Sequence, residues 1–168
     1  MNAQRWFVNL RVCAALLLFA VTPSLAFAGS TKMKPAEYQK FVSRLQTSIP
    51  DWQQRLMQLD LSSIAADRRD EARSAEQMAY ALLKQVKEKL QYEQEKPSLA
   101  RQIYMNRDLS AASSALGNIA VLLPNERREK MEALAHEIGE ADSLLFLHVT
   151  SEADDYEYQL EDCTQAKP

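Results

Sequence analysis

Apolar side chains recur every three or four residues through four successive segments of this 168-residue chain. The first segment carries Tyr38, Phe41, Leu45, Ile49, Trp52, Leu56 and Leu59. The same spacing runs through residues 72–90, 105–123 and 131–145. A repeat close to 3.6 residues places one apolar stripe along each α-helix, and such a stripe packs against another element. With only three glycines in the chain, the pattern predicts an all-α fold of four amphipathic helices.

The residues between these segments predict where each helix begins and ends. Pro35 suits a first helical turn, and "EKPS" (95–98) and "LPNE" (123–126) are tight turns. The expected helices are at about 35–59, 63–95, 98–123 and 125–160. Pro50 lacks a backbone donor, so we expect the first helix to be kinked or broken there. Short connections make successive helices antiparallel, which predicts an up-down-up-down four-helix bundle with the last helix overhanging the others.

The first 28 residues carry the three parts of a secretory signal peptide. Arg5 and Arg11 supply the positive region, an apolar run follows at 12–21, and Ala26 and Ala28 are the small residues before a cleavage point. The apolar run is too short to span a bilayer, which needs about 20 residues. We expect a cleaved signal peptide and export to a bacterial periplasm or beyond the cell.

Cleavage before Gly29 would leave one helical-bundle domain, residues 29–168, with a short acidic C-terminal tail. The leader takes two arginines and no acid, so 18 basic and 23 acidic side chains remain, a formal net charge of −5. An acidic chain with scattered lysines argues against nucleic-acid binding. Cys163 would be the one remaining cysteine, which excludes an internal disulfide and leaves an intermolecular one open. No later run is apolar enough to act as a membrane anchor.

The residue inventory excludes several cofactor sites that four-helix bundles carry. A di-iron site needs a Glu-x-x-His pair on each of two helices. His136 and His148 both fall in the fourth predicted helix, and Ala133 and Leu145 stand three residues before them. One cysteine cannot form the Cys-x-x-Cys-His attachment of covalent haem, and the Cys/His ligands of a structural zinc site are missing. We predict no cofactor, no catalytic residue and, on balance, no enzyme activity.

A non-covalent b-type haem is the one cofactor that these residues leave open. In exported bundles of the cytochrome b562 kind, a methionine early in the first helix and a histidine late in the last hold the haem. Met33 and His148 occupy comparable places here, although Met33 precedes Pro35. This chain resembles that family in topology alone, and no family's motifs cover it.

In the stretch "LLFLHV", His148 takes the next position of the apolar stripe and should face the bundle. Counting along antiparallel helices places it level with Tyr38, Tyr92 and Tyr104. One interpretation is therefore a histidine that hydrogen-bonds within the end of the core. A second is a cofactor or metal ligand, with Glu152 one turn further on as another metal candidate. A third is a pH sensor.

His136 should not share a site with His148. The two histidines are twelve residues apart, which amounts to about 120° around a straight helix. Glu140 lies one turn after His136, and we expect this pair to face solvent.

A stripe of small residues in the third segment comprises Ser110, Ser113, Ser114 and Gly117. Small side chains at this spacing let a neighbouring helix approach closely. The alternative is that they leave room for a ligand in the core.

The predicted overhang is acidic, with tyrosines among the acids. Its acidic residues are Glu152, Asp154, Asp155, Glu157, Glu161 and Asp162. Such a segment is either a solvated helix end or a surface for a basic partner or a weakly bound divalent cation. The leading hypothesis is a non-enzymatic protein-interaction or structural module, with a protein partner or a homodimer formed through this overhang or Cys163. The alternative is a bundle that binds a small molecule or cofactor, b-type haem or a metal.

Overall fold

A computed structural model describes the backbone of residues 33–165 and the side chains through Asp154. The signal peptide predicted at 1–28 lies outside these residues. The described part is all-α and contains four helices. They are α1 (Pro35–Met57), α2 (Arg69–Glu95), α3 (Leu99–Ala120) and α4 (Asn125–Gln165). The predicted four-helix bundle is confirmed, and none of the described helices combines the length and apolarity needed to cross a membrane.

Side-chain contacts between helices show that successive helices are antiparallel. On α3 and α4, Asn106 donates to Asp142 Oδ1 at 2.6 Å, and Ser113 donates to the Ala135 carbonyl at 2.9 Å. Numbers that rise on α3 therefore fall on α4. The same relation holds between α2 and α3, where Lys89 meets Asp108 and Glu93 meets Gln102. Tyr38 and Trp52 of α1 reach His148 and Glu137 of α4. The topology is up-down-up-down.

The core consists of the predicted stripes. Its largest fully buried side chains include Leu45, Ile49, Leu83, Met105, Leu116 and Ile138. The helix α3 packs most closely against α2 and α4. At Gly139 of α4 an added Cβ would lie 3.3 Å from Ser113 Oγ, so Ser113 does serve the close helix approach predicted for the small-residue stripe. Gly117 does not, because no atom lies within 4 Å of where its Cβ would be.

Of the kink or break predicted at Pro50, the break does not occur, since α1 runs through Pro50 as one helix. Pro50 is exposed, whereas its neighbours Ile49 and Trp52 are buried. Burial of the stripe on both sides holds the helix together across the missing backbone donor.

The helix α2 begins later than the predicted residue 63. Two short 3₁₀ turns, Leu61–Ser63 and Ala66–Arg68, occupy the connection. Asp60 accepts a hydrogen bond from the Ser62 amide at 2.8 Å, and Ile64 is buried. The segment is therefore a packed connection that covers the end of the core.

The overhang of α4 is confirmed by the helix bounds. The α3–α4 pairing places residue 149 level with Leu99, the first residue of α3. The stacking of Tyr38 on His148 likewise places Pro35 near residue 151. The helix α4 continues to Gln165, which is about 20 Å beyond these helix ends at 1.5 Å per residue.

Candidate functional site

A fully buried carboxylate joins three helices near the α2–α3 turn. Glu93 Oε1 accepts hydrogen bonds from Tyr38 Oη at 3.0 Å, the Ser98 amide at 3.0 Å and Gln102 Nε2 at 2.8 Å. Its Oε2 accepts one from Arg101 Nη1 at 2.8 Å. Glu93 has no solvent-exposed surface. Four donors replace the water that this carboxylate loses on folding, so the charge is accommodated within the core.

Tyr38 lies between this carboxylate and His148. Its ring stacks on the imidazole with centroids 4.6 Å apart and planes 26° apart. Burial, followed by the negative charge of Glu93, raises the pKa of the Tyr38 phenol well above its usual range. The phenol therefore stays protonated and keeps donating to Glu93. His148 is buried, as its position in the stripe predicted.

A cleft of about 380 Å³ opens at this end of the bundle. Met33, Tyr38, His148 and Glu152 are among the residues that line it. The structure thus brings the two haem candidates, Met33 and His148, to one cleft, together with the metal candidate Glu152. Within the described residues, no group of three or more His, Cys, Asp or Glu side chains is arranged to hold a metal ion.

The predicted ring of tyrosines around His148 is wrong for two of its three members. Tyr92 is 62% exposed and Tyr104 is 51% exposed, so of these three tyrosines it is Tyr38 that contacts the histidine. Residue counting gives the height of a side chain along the bundle but not the direction in which it points. His136 faces solvent beside Glu140, with Nε2 and Oε1 3.3 Å apart, as predicted.

Tyr92 and Tyr104 instead form part of an outer surface along α2 and α3. The Arg101 guanidinium lies 5.9 Å from the Tyr92 ring centroid, and the Arg107 guanidinium lies 5.0 Å from that of Tyr104. Antiparallel pairing puts both tyrosines at about the same height. We call Lys89, Tyr92, Arg101, Tyr104 and Arg107 the tyrosine–arginine face.

The cations of this face form salt bridges with buried acids. Arg101 bonds Glu93, as described above. Asp108, which is 1% exposed, contacts Lys89 Nζ at 2.7 Å and Arg107 Nη2 at 3.1 Å. The carboxylates are buried while the side chain of Arg107 is 66% exposed. The tyrosine–arginine face therefore presents aromatic rings and positive charge to solvent.

Sequence reasoning missed this face, although the sequence contains a signal for it. Glu93 and Asp108 each lie three residues after a core residue, Leu90 and Met105, and so fall on or beside an apolar stripe. A buried acid needs a cation or several donors. Two acids at such positions on adjacent helices could have directed attention to the arginines nearby.

A second polar cluster joins α1 to α4 near the opposite end. Arg55 makes two bonds to the Glu137 carboxylate, at 2.7 and 3.0 Å, and Trp52 Nε1 donates to it at 3.1 Å. Hydrogen bonding from Arg55, with a smaller effect from Trp52, lowers the pKa of Glu137. These bonds tie α1 to α4.

The overhang is described mainly as backbone. Asp154 is exposed and Glu152 lines the cleft. The side chains of the remaining acids, of Tyr156 and Tyr158, and of Cys163 lie outside the described residues.

No protein-family model, curated protein or solved structure matches this chain.

Proposed function

We propose that this protein is exported and works without catalysis, by binding another protein at the tyrosine–arginine face. One observation carries the proposal: two exposed tyrosine rings lie under arginines that are themselves anchored to buried carboxylates. The pattern of a signal peptide at residues 1–28 supports export to the periplasm or beyond the cell.

The composition of the face favours binding over a purely structural role. Tyrosine and arginine are enriched in protein interfaces and at the positions that contribute most to affinity. A cation–π contact at an exposed site contributes only about 0.5–1 kcal/mol. This gain in stability is small compared with the cost of leaving two large aromatic rings exposed to water. Because Glu93 and Asp108 restrain the arginines in advance, binding would cost less side-chain entropy.

The charge of the face indicates an acidic partner. Three cations, Lys89, Arg101 and Arg107, are each partly exposed, whereas the two carboxylates that they contact are buried. The chain after the predicted cleavage point is acidic overall, so this face is opposite in sign to the net charge of the chain. An acidic partner would be attracted to it, and binding would weaken as salt is raised.

A photo-crosslinking amino acid tests this proposal in cells that export the protein. Placed at position 104, it should give a discrete protein adduct, and the Arg107→Glu substitution should reduce the adduct by about tenfold, which corresponds to about 1.4 kcal/mol. Position 146 is the matched control, because Phe146 is an aromatic residue of similar exposure on α4. Equal labelling from positions 104 and 146, or none from either, would contradict the proposal.

The bundle-end cleft supports a second candidate function, the binding of a small molecule, a metal or b-type haem. Its volume of about 380 Å³ lies within the range of small-ligand sites. The observation in its favour is that Met33, His148 and Glu152 line one cleft beside the stacked Tyr38.

The absorption spectrum and metal content of protein purified from the periplasm test this candidate. A haem band or stoichiometric metal that is lost in His148→Ala and kept in His136→Ala would support it. A colourless, metal-free protein that also takes up no added haem would exclude haem and a metal ion as ligands of this cleft.

A further inference from the structure

We infer that the acidic partner of the tyrosine–arginine face is a second copy of this chain, whose α4 overhang lies on it. This inference rests on the proposed function and adds the identity of the partner. The overhang is the part of α4 from about residue 150 to Gln165, beyond the first turns of α1 and α3.

The overhang has the charge that the face requires. Between residues 150 and 165 the chain has six acids and no lysine or arginine. Tyr156, Tyr158 and Leu160 stand among these acids in the sequence. Opposite charge attracts the two surfaces, and the exposed rings of Tyr92 and Tyr104 offer apolar area for the tyrosines and leucine of the overhang.

A partner would also stabilise the overhang as a helix. Negative charges near the C-terminus of a helix oppose its macrodipole. A helical segment of this length has little stability in water by itself, because most helical stability in proteins comes from packing. Neutralisation of its acids by Lys89, Arg101 and Arg107 of another copy would offset both costs.

While α4 remains helical, most of the overhang lies beyond the face of its own chain. Tyr104 of α3 is level with residue 144 of α4, by the pairing of Asn106 with Asp142. The acids from Glu152 to Asp162 therefore lie roughly 12 to 27 Å further along the axis. Two copies placed end to end around a twofold axis would each supply one overhang and one face, which gives a closed dimer.

Sedimentation equilibrium of the purified exported protein, with a reductant present to prevent a Cys163 disulfide, measures the self-association. We expect a dimer that weakens as salt is raised. Arg107→Glu on the face and Glu157→Arg on the overhang should each weaken it by about tenfold, as like charges oppose each other. Glu129→Arg is the control, since Glu129 is exposed near the start of α4 and should leave the dimer unchanged.

An equimolar mixture of the Arg107→Glu and Glu157→Arg proteins provides the sharpest test. In the mixed dimer one interface keeps its native charges and the other has both charges reversed, so association should return to the wild-type strength. Circular dichroism of each variant should match wild type, because both substitutions are at exposed or overhanging positions.

The crosslink from position 104 separates this inference from the proposed function. Mapping that adduct to residues 150–165 of a second copy supports the inference. A monomer whose crosslink leads to a different protein overturns the inference and keeps the proposed function. A monomer with no crosslink overturns both. A dimer that neither charge reversal weakens has its interface elsewhere and also overturns the inference.

Discussion

Glu93 shows how a charge can stand in an apolar stripe and still stabilise a bundle. Its donors come from α1, from the α2–α3 turn and from α3. A leucine in its place would fill the core but would leave the Tyr38 hydroxyl and the Gln102 amide without their acceptor. The carboxylate thus sets the relative position of three helices and also restrains Arg101 for the outer face.

We expect Glu93→Ala to lower the free energy of unfolding by about 3–5 kcal/mol, the usual cost of removing one partner from a buried ion pair. Urea denaturation at neutral pH measures this difference. Glu95→Ala is the control, because Glu95 is an exposed acid on the same helix and should change stability by less than about 0.5 kcal/mol. Equal effects of the two substitutions would show that the network does not stabilise the fold.

The raised pKa of Tyr38 should make the free energy of unfolding depend on pH in the alkaline range. Its pKa is raised in the folded state by burial and by Glu93, so the unfolded chain loses the phenolic proton first. The contribution of Tyr38 to stability is therefore complete below about pH 10 and declines above it by up to about 1.4 kcal/mol per pH unit.

Tyr38→Phe isolates this effect. At pH 7 the loss of a hydrogen bond to a charged group should cost about 1.5–3 kcal/mol. Between pH 10 and 11 the gap between wild type and Tyr38→Phe should narrow, as measured by urea denaturation at each pH. Tyr92→Phe, at an exposed tyrosine, is the control at pH 7 and should change stability by less than about 0.5 kcal/mol. A constant gap for Tyr38→Phe would contradict the raised pKa.

Among the helices, the close approach of α3 and α4 depends on particular small residues. Ser113 Oγ lies where α4 has no side chain at Gly139, and it donates to the Ala135 carbonyl. Gly117, on the same small-residue stripe, faces open space. The two glycines therefore differ in what an added methyl group would meet.

We expect Gly117→Ala to stabilise the protein by about 0.5–1 kcal/mol, since alanine favours the helix more than glycine does and meets no neighbour. Gly139→Ala should gain less or lose stability, because its methyl group would press on Ser113 Oγ at 3.3 Å. Thermal or urea denaturation of both variants measures the difference. If Gly139→Ala stabilised the protein as much as Gly117→Ala, the contact with Ser113 Oγ would not limit how closely α3 and α4 approach.

For the molecule as a whole, the predicted export would determine which partners and which redox conditions the protein meets. The leader pattern of residues 1–28 predicts that the exported protein begins at Gly29. Its intact mass and N-terminal sequence after periplasmic extraction check this prediction. The matched variant replaces Ala28 by Gln, which removes the small residue before the cleavage point and should leave the leader attached. A cytoplasmic protein that begins at Met1 would contradict the prediction.

The helices, their antiparallel order and the inward and outward directions of His148 and His136 could all be predicted from the sequence. These properties depend on the 3.6-residue period and on short connections, which are local along the chain. Two local sequence signals, the proline inside α1 and the predicted start of α2, were overridden by packing. Pro50 does not break α1, because the stripe is buried on both sides of it. The α2 start shifts to Arg69 because the connection packs Ile64 into the core.

The candidate site was predictable only in part, for a physical reason. Sequence counting places Tyr38, Tyr92 and Tyr104 at the height of His148, but the rotation of each helix about its axis decides which of them meets it. That rotation is set by packing across the core, where Ser113 and Gly139 draw α3 and α4 together. The tertiary structure alone decided that Tyr38 stacks on His148 while Tyr92 and Tyr104 lie outside under Arg101 and Arg107.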